Sequence, residues 1–244
     1  MRREVSDTVR PVYQGLIQQI DDELGRLWDL MDRQGRWGDT LVVLAADHGD
    51  FLGDHWLGEK EIFYDAAVRL PFVLYDPSPS ADGTRGTTNA DLVSGVDVVP
   101  TILDALALPA HAHRVEGRSL LPLVRGQRTD WREAVVAELD YGMREARLLL
   151  GREPGECRAW MVRTSRWKYV HWQGYRPQLF DLERDPGEFE DLGADPGSEA
   201  VRQAMHRRLA DWFCALKPRV TLTEEDAARR TAAHRRAGVH FGLW

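Results

Sequence analysis

Residues 47–60 bring together several side chains that could bind a metal ion or an anion. They follow a short apolar segment, TLVVLAA at 40–46, and comprise Asp47, His48, Asp50, Asp54, His55, Glu59 and Lys60. Asp47 and His48 can share one cation, because Gly49 permits the backbone to turn after them. Oxygen ligands suit Ca²⁺ or Mg²⁺, and the imidazole favours Mn²⁺. The spacing alone leaves open the alternative of a buried, hydrogen-bonded Asp–His pair without a metal.

Lys60 lies thirteen residues after Asp47 and is the candidate for anion binding. An isolated lysine is typically a solvated surface charge. Beside a metal, its ammonium could instead hold an oxygen of a sulfate or phosphate group and stabilise charge that develops during transfer. His55 could pack, orient a neighbour or donate a proton to a leaving group, and packing or orientation is favoured. The remaining acids are expected to be solvated or to make local hydrogen bonds.

Several common motifs are absent from the sequence, which narrows the chemistry. It contains no EF-hand pattern, H-E-x-x-H, P-loop, G-x-G-x-x-G or G-x-S-x-G element. The two cysteines, Cys157 and Cys214, are far apart and predict neither a disulfide framework nor a cysteine zinc site. A formal net charge of -7 argues against a general nucleic-acid binder, although it does not exclude a local cationic pocket for a small anion.

Hydropathy predicts a soluble, cytoplasmic protein without a membrane partner. No apolar run approaches the roughly 20 residues that a membrane-spanning helix needs. The first residues, Met1 to Glu4, lead into a polar stretch without the apolar core of a signal peptide. This expectation about targeting applies only if Met1 is the native start of the protein.

The hydropathy pattern around these side chains predicts the helices and strands of an α/β fold. Apolar residues recur at three- and four-residue steps over 7–34, which predicts a helix. The segments 40–46 and 70–76 are apolar on both faces, as in buried central strands of a parallel sheet, and 97–108 predicts another helix. Helices and strands alternate in this way in α/β domains, where ligand sites lie at the carboxyl ends of the strands. The candidate cation ligands occupy that place.

After about Gly126 the predicted strands lose the long helices between them. Several β-rich segments and a closing amphipathic helix over 198–216 predict a small α+β subdomain with an antiparallel sheet. We therefore expect a catalytic α/β region at 1–126, the antiparallel-sheet subdomain at 127–216, and a tail at 217–244.

The segment AADHGDFLGDHWLGEKEIFYDAAVRLPFVLYD, residues 45–76, resembles the metal-site segment of the sulfatases in the alkaline phosphatase superfamily. The family pattern runs D-H-G-[DE]-x-L-G-[DE]-H, then a lysine, then R-x-P before a strand. Asp47, Lys60 and Arg69 begin the matching parts here, and the step of thirteen residues from Asp47 to Lys60 also matches. The resemblance is strongest to the branch that contains phosphonate monoester hydrolases and iduronate-type sulfatases, and a match in several parts is specific.

Further segments resemble the same family along most of the chain. They are the helix and strand of 13–49, the helix and loop of 96–127, the β-rich region of 163–192, and the tail GVHFGLW at 238–244. The resemblance implies part of an alkaline-phosphatase-like sandwich with a mainly parallel sheet, followed by a small antiparallel sheet with a helix. The tail is similar to that of the hydrolase branch, in which it helps to form oligomers.

The resemblance implies a metal-dependent hydrolase of small anionic esters of sulfate, phosphate or phosphonate. Asp47 and His48 would be ligands of a divalent cation, Ca²⁺ or Mn²⁺. Lys60 would bind the anionic group of the ester during catalysis, and His55 is a second catalytic candidate. A metal-dependent phosphomutase or phosphodiesterase of the same superfamily is the weaker alternative, because R-W-K-Y at 166–169 and the later L-F-D-L-x-x-D-P favour the sulfatase branch.

The nucleophile of the family is missing from these 244 residues. It is usually a formylglycine made from Cys or Ser in a C/S-x-P-S/A-R motif, which the sequences after Cys157 and Cys214 do not fit. Two acidic metal ligands that precede it in the family are also missing. The chain thus resembles the C-terminal half, and we expect weak metal binding and impaired catalysis for it alone. Its partner could be a complementing N-terminal half or another copy in a homo-oligomer, and a non-catalytic sulfatase-like module is the alternative.

Overall fold

The computed structural model describes residues 3–127, 130–217, 220–231 and 237–238 of the chain. Helix α1 (Arg3–Gln34) comes first, as the apolar periodicity predicts. Gly35 ends it in the left-handed conformation, with φ 65°, which glycine adopts without strain. Only Ser6 and Met31 are buried in α1. The described chain therefore leaves most of the apolar stripe of this helix uncovered.

The first two strands, β1 (Val42–Ala45) and β2 (Phe72–Tyr75), form a two-stranded sheet. They pair antiparallel, with Val42 opposite Tyr75, whereas a mainly parallel sheet is predicted for this region. Parallel neighbours need a long crossover, usually a helix. The only α-helix in the connection here is the single-turn α2 (Asp65–Val68), so the chain turns back beside β1.

Both strands are less covered than their apolar sequences predict. The residues of β1 are half-buried or exposed, and Val73 of β2 is 56% exposed. A strand that is apolar on both faces predicts a covering layer on each side. The described part of this chain does not supply both layers.

Helices α3 (Val98–Ala105) and α4 (Leu121–Val124) are joined through a buried carboxylate. Asp97 is fully buried, and its Oδ1 accepts hydrogen bonds of 2.6 Å from Arg132 Nη2 and 2.8 Å from the Arg118 backbone N–H. A buried charge that is paired in this way fixes its neighbours in place. Asp97 thus connects the start of α3 to the segment that leads into the second sheet.

The second sheet is antiparallel throughout, as predicted for this part of the chain. Its strands, in spatial as well as chain order, are β3 (Val135–Asp140), β4 (Arg158–Arg163), β5 (Trp167–Trp172) and β6 (Gln178–Asp181). Helix α6 (Glu199–Ala215) covers one face of the sheet. Met205 and Leu209 of α6 pack there against Val162 and Tyr169 in a buried core.

Two short helices lie outside these layers, α5 (Glu145–Leu149) between β3 and β4, and α7 (Glu224–Arg230) near the C-terminus. Within the described residues, no helix is both long and apolar enough to cross a lipid bilayer. Most of the GVHFGLW tail, for which the resemblance implies a role in oligomers, lies at 239–244, outside the described residues.

Candidate active site

The end of β1 carries Asp47 and His48 into a turn that Gly49 makes tight. The Gly49 N–H donates a hydrogen bond of 2.8 Å to the Ala67 carbonyl oxygen of α2. A Cβ atom on Gly49 would lie 2.0 Å from the Ala66 carbonyl oxygen, so no larger residue fits without a shift of the backbone. This close contact fixes the direction in which the chain leaves the strand.

His48 lies at the centre of the candidate site. Its Nε2 atom is 3.3 Å from Asp47 Oδ2 and 2.8 Å from Lys60 Nζ. Its Nδ1 atom is 2.9 Å from the Gly49 carbonyl oxygen. Donation from Nδ1–H to that carbonyl leaves a lone pair on Nε2, which is the tautomer that binds metals and that accepts the Lys60 ammonium here. The structure therefore groups Asp47, His48 and Lys60.

The donor atoms of Asp47 and His48 fit a shared cation. Two ligands bound at about 2.3 Å and at right angles lie roughly 3.3 Å apart, and the separation of these two donors is 3.3 Å. The Asp47 side chain is 86% exposed, so a cation can reach it. Among the described residues, no three His, Cys, Asp or Glu side chains converge. A cation held by Asp47 and His48 must therefore complete its coordination shell with water or other groups.

Residues 49–60 form a loop with two adjacent arms, which brings Lys60 back to the end of β1. The Phe51 N–H donates a hydrogen bond of 2.8 Å to the Glu59 carbonyl oxygen, and the Gly53 N–H donates one of 2.9 Å to the Leu57 carbonyl oxygen. Phe51 is 1% exposed, and its burial anchors the base of the loop. The two arms therefore run side by side, and the base places Lys60 beside the imidazole.

His55 lies at the tip of the 49–60 loop and does not join the other three predicted site residues. Its ring stacks on Tyr64, with centroids 3.8 Å apart and planes 2° from parallel, and on Phe189 at 4.8 Å. Burial raises the pKa of the Tyr64 phenol, which keeps this ring neutral. In the described part of the chain, His55 makes no hydrogen bond to the grouped side chains. These contacts favour a packing role, and proton donation stays a prediction.

A cavity of about 680 Å³ opens beside the grouped side chains, all three of which line it. Its apolar walls come from β1, β2, α3 and β3 and include Phe72, Val98 and Val136. The regions 1–126 and 127–216 therefore both contribute to the space in front of the candidate site. An apolar space with a few charged side chains in its lining is typical of a binding pocket.

Glu61 also lines this cavity, although no sequence motif predicted it as a site residue. It follows Lys60, and its carboxylate lies 2.8 Å from Arg144 Nε, on the segment between β3 and α5. Both side chains are partly exposed, so this ion pair adds little stability. No periodicity or motif links the two residues, because their contact depends on how the two sheets pack.

Comparison with known proteins gives the class of protein. Residues 53–213 match the family described as N-sulphoglucosamine sulphohydrolase, C-terminal, and the chain belongs to this sulfatase family. Its sequence is 34% identical over 210 residues to the multifunctional alkaline phosphatase superfamily protein PehA of Trinickia caryophylli. That match covers 84% of this chain and 40% of PehA.

Two solved structures share the fold. The phosphonate monoester hydrolase of Agrobacterium radiobacter matches with a TM-score of 0.80 and 31% identity, over 91% of this chain and 45% of that one. The phosphonate monoester hydrolase SpPMH of Silicibacter pomeroyi matches with a TM-score of 0.80 and 29% identity, over 91% and 44%. The predicted sulfatase resemblance and the α/β, alkaline-phosphatase-like fold class are confirmed. The chain spans less than half the length of these relatives.

Proposed function

We propose that this chain contributes cation-binding and anion-binding side chains to a metal-dependent, sulfatase-type hydrolase. The proposal rests on one observation: Asp47 Oδ2 and Lys60 Nζ lie 3.3 and 2.8 Å from His48 Nε2. A carboxylate, an imidazole and an ammonium at a strand end can hold a cation and an anionic group side by side. Similarity to sulfatases and phosphonate monoester hydrolases supports small sulfate, phosphate or phosphonate esters as substrates.

Each grouped residue has a role in this proposal. Asp47 and His48 would hold a divalent cation, Ca²⁺ or Mn²⁺, which when bound lowers the pKa of a nucleophile and polarises the ester. The Gly49 carbonyl keeps the His48 Nε2 lone pair directed toward the site. The Lys60 ammonium donates hydrogen bonds to a non-bridging oxygen of the ester and stabilises the negative charge that develops there.

Lys60 has two alternative acceptors in this proposal. In the structure its ammonium donates to His48 Nε2 at 2.8 Å. One lone pair cannot serve an ammonium and a cation together, so a cation on His48 releases Lys60 toward the anionic ester. Cation and anion binding should therefore strengthen each other.

We infer that the nucleophile comes from polypeptide outside these 244 residues. Neither cysteine lies in a C/S-x-P-S/A-R sequence, and Cys157 is fully buried. One half of a split enzyme that acts through a partner chain would lack this motif, and so would the alternative, a module that binds without turnover. The purified chain should then bind a cation and an anion without robust turnover of nitrophenyl sulfate or phosphonate esters.

Manganese binding tests the cation ligands. We expect the 244-residue chain to bind Mn²⁺ weakly, because the site supplies two side-chain ligands. His48→Ala or Asp47→Ala should weaken this binding at least about tenfold, as measured by calorimetry or by Mn²⁺ electron paramagnetic resonance. His111→Ala removes an exposed histidine from another loop and should leave the affinity unchanged. Equal affinity in all these variants would contradict the assignment.

Sulfate binding tests Lys60. In the presence of Mn²⁺, Lys60→Ala should abolish the calorimetric signal for sulfate, whereas Lys60→Arg should retain part of it, because the positive charge remains. Arg207→Ala removes an exposed positive charge from α6 and is the matched control. Sulfate affinity that survives Lys60→Ala and does not depend on Mn²⁺ would rule out the proposed anion site.

A further inference from the structure

Lys168 of β5 is fully buried, which is rare for a lysine. Its ammonium donates a hydrogen bond of 2.9 Å to the Phe63 carbonyl oxygen. It also lies 2.5 Å from Asp65 Oδ1 and 2.6 Å from Glu188 Oε1. Its ammonium thus donates two hydrogen bonds and forms an ion pair with each of the two carboxylates, so the buried charge is compensated. Lys168 thus ties the second sheet to the segment that follows the 49–60 loop.

Each of the two carboxylates has a second partner besides Lys168, which is the Asp65 backbone for Glu188 and the Arg163 side chain for Asp65. Glu188 is 2% exposed, and its Oε2 accepts a hydrogen bond of 2.6 Å from the Asp65 backbone N–H. Arg163 Nη2 lies 3.3 Å from Asp65 Oδ2. Removing one partner from such a buried set leaves an uncompensated charge, so its members hold one another in position. We refer to Lys168, Asp65 and Glu188 as the clamp.

Each carboxylate of the clamp has an aromatic neighbour in the chain, and both aromatic rings contact His55. Tyr64 precedes Asp65, and Phe189 follows Glu188. The His55 ring stacks on Tyr64 at 3.8 Å and on Phe189 at 4.8 Å. Two rings at these distances cannot share one face, so His55 lies between them. Tyr64 and Phe189 form what we call the aromatic pair.

Helix α1 contacts a different part of the 49–60 loop, the backbone at Leu52. Ser6 Oγ and Arg10 Nε donate hydrogen bonds of 2.9 and 2.7 Å to the Leu52 carbonyl oxygen. Arg10 Nη2 also lies 2.7 Å from Asp54 Oδ1. The loop is therefore attached to α1 along one arm and to the aromatic pair at its tip. Hydrogen bonds pair the two arms between tip and base, so a displacement of the tip should reach the base, where Lys60 lies.

We propose that Lys168 is a positioning residue for the candidate active site. The clamp fixes the aromatic pair, the pair holds His55, and the loop so held places Lys60 beside His48. The inference rests on the proposed function, because it concerns the same site, and it gives His55 the role of a loop anchor. A loop that is correctly placed in only a fraction of the molecules binds an anion with an affinity reduced by that fraction.

Phe189→Leu tests the link between the aromatic pair and the site. The Phe189 side chain is 72% exposed, so we expect this variant to fold. Imidazole resonances report the result by NMR. Those of His55 should move downfield as ring shielding is lost, and those of His48 should move as Lys60 shifts. Sulfate affinity in the presence of Mn²⁺ should fall about 2- to 10-fold, as for the loss of one aromatic contact. Phe213→Leu on α6 should change none of these values.

Glu188→Gln and Lys168→Met test the clamp itself. Glu188→Gln keeps the shape of the side chain and removes the charge that faces Lys168, so it remains informative if Lys168→Met does not fold. Each folded variant should move the resonances of both His55 and His48 and lower the sulfate affinity. If only His55 responds, the loop does not transmit the change to the site. If neither histidine responds, the clamp does not hold the loop. Both of these results would overturn the proposal.

A failure of the proposed function would give a different result from a failure of this inference. A parent chain that binds neither Mn²⁺ nor sulfate refutes the proposed function. The resonances of His48 and His55 still decide in that case whether Lys168 positions the loop, because they require no bound ligand.

Discussion

At the scale of single residues, Gly49 sets how closely the 49–60 loop lies against α2. A methyl group on Gly49 would lie 2.0 Å from the Ala66 carbonyl oxygen, which is backbone and cannot rotate away. We expect Gly49→Ala to destabilise the fold by about 1–3 kcal/mol. It should also weaken Mn²⁺ binding, because the turn that directs His48 must open. Urea unfolding and Mn²⁺ titration measure the two effects.

Gly25→Ala is the matched control for Gly49→Ala. Gly25 lies within α1, and a Cβ atom there meets no atom within 4 Å. Alanine is the better helix former by about 1 kcal/mol, so this variant should be at least as stable as the parent. A Gly49→Ala variant that matches the parent in stability and in Mn²⁺ affinity would contradict the prediction.

The grouping of Asp47, His48 and Lys60 could be predicted from the sequence, because one strand end and one short loop contain all three. The place of His55 could not be predicted. One of its stacking partners, Phe189, comes from the loop after β6, and a single contact between distant segments leaves no periodic pattern in the sequence.

At the scale of elements, the packing of α6 on the second sheet should depend on pH. His171 of β5 and His206 of α6 have ring centroids 5.5 Å apart. Burial, and then the charge of His206, lowers the pKa of His171 below its ordinary value of 6.5. The unfolded chain therefore binds a proton at a higher pH than the folded chain does. Stability is lost as the pH falls from 6.5 through the lower pKa of the folded state.

Urea unfolding between about pH 7.5 and pH 5 measures this dependence. The free energy of unfolding should fall with pH in the parent, and His171→Gln should reduce the fall. His111→Gln changes an exposed histidine on a loop and should retain it. Burial raises the pKa of Tyr169, whose hydroxyl meets His206 at 3.2 Å, so that hydroxyl stays protonated over this range. An unchanged slope in His171→Gln would show that another group causes the dependence.

Element types were easier to predict than the direction of strands. The three- and four-residue steps of α1 and the closely spaced segments of β3 to β6 carry their own signals of helix and antiparallel sheet. The apolar sequences of β1 and β2 indicate burial and carry no information on direction. Their antiparallel pairing depends on a connection whose only α-helix is the single-turn Asp65–Val68, and such a short helix is hard to recognise in a sequence.

At the scale of the whole molecule, α1 presents a row of large apolar side chains to solvent. Val12, Leu16, Ile20 and Leu27 are all exposed, and Leu16 and Ile20 are 54% and 59% exposed. Side chains four residues apart lie on one face of a helix, so the row is a continuous apolar patch, which is uncommon on a monomeric protein. We expect the purified chain to bind a hydrophobic dye such as anilinonaphthalene sulfonate and to self-associate as its concentration rises.

Replacing Leu16 with Glu and Ile20 with Lys should reduce both dye binding and self-association. The new pair is spaced i,i+4, which preserves the helix, and removing exposed side chains should change the free energy of unfolding by less than about 0.5 kcal/mol. Gln14→Glu with Gln18→Lys adds the same pair on the opposite face of α1 and is the matched control. Dye fluorescence and sedimentation velocity separate the two variants. An equal reduction in both would assign the effect to added charge, and the apolar row could then not be its cause.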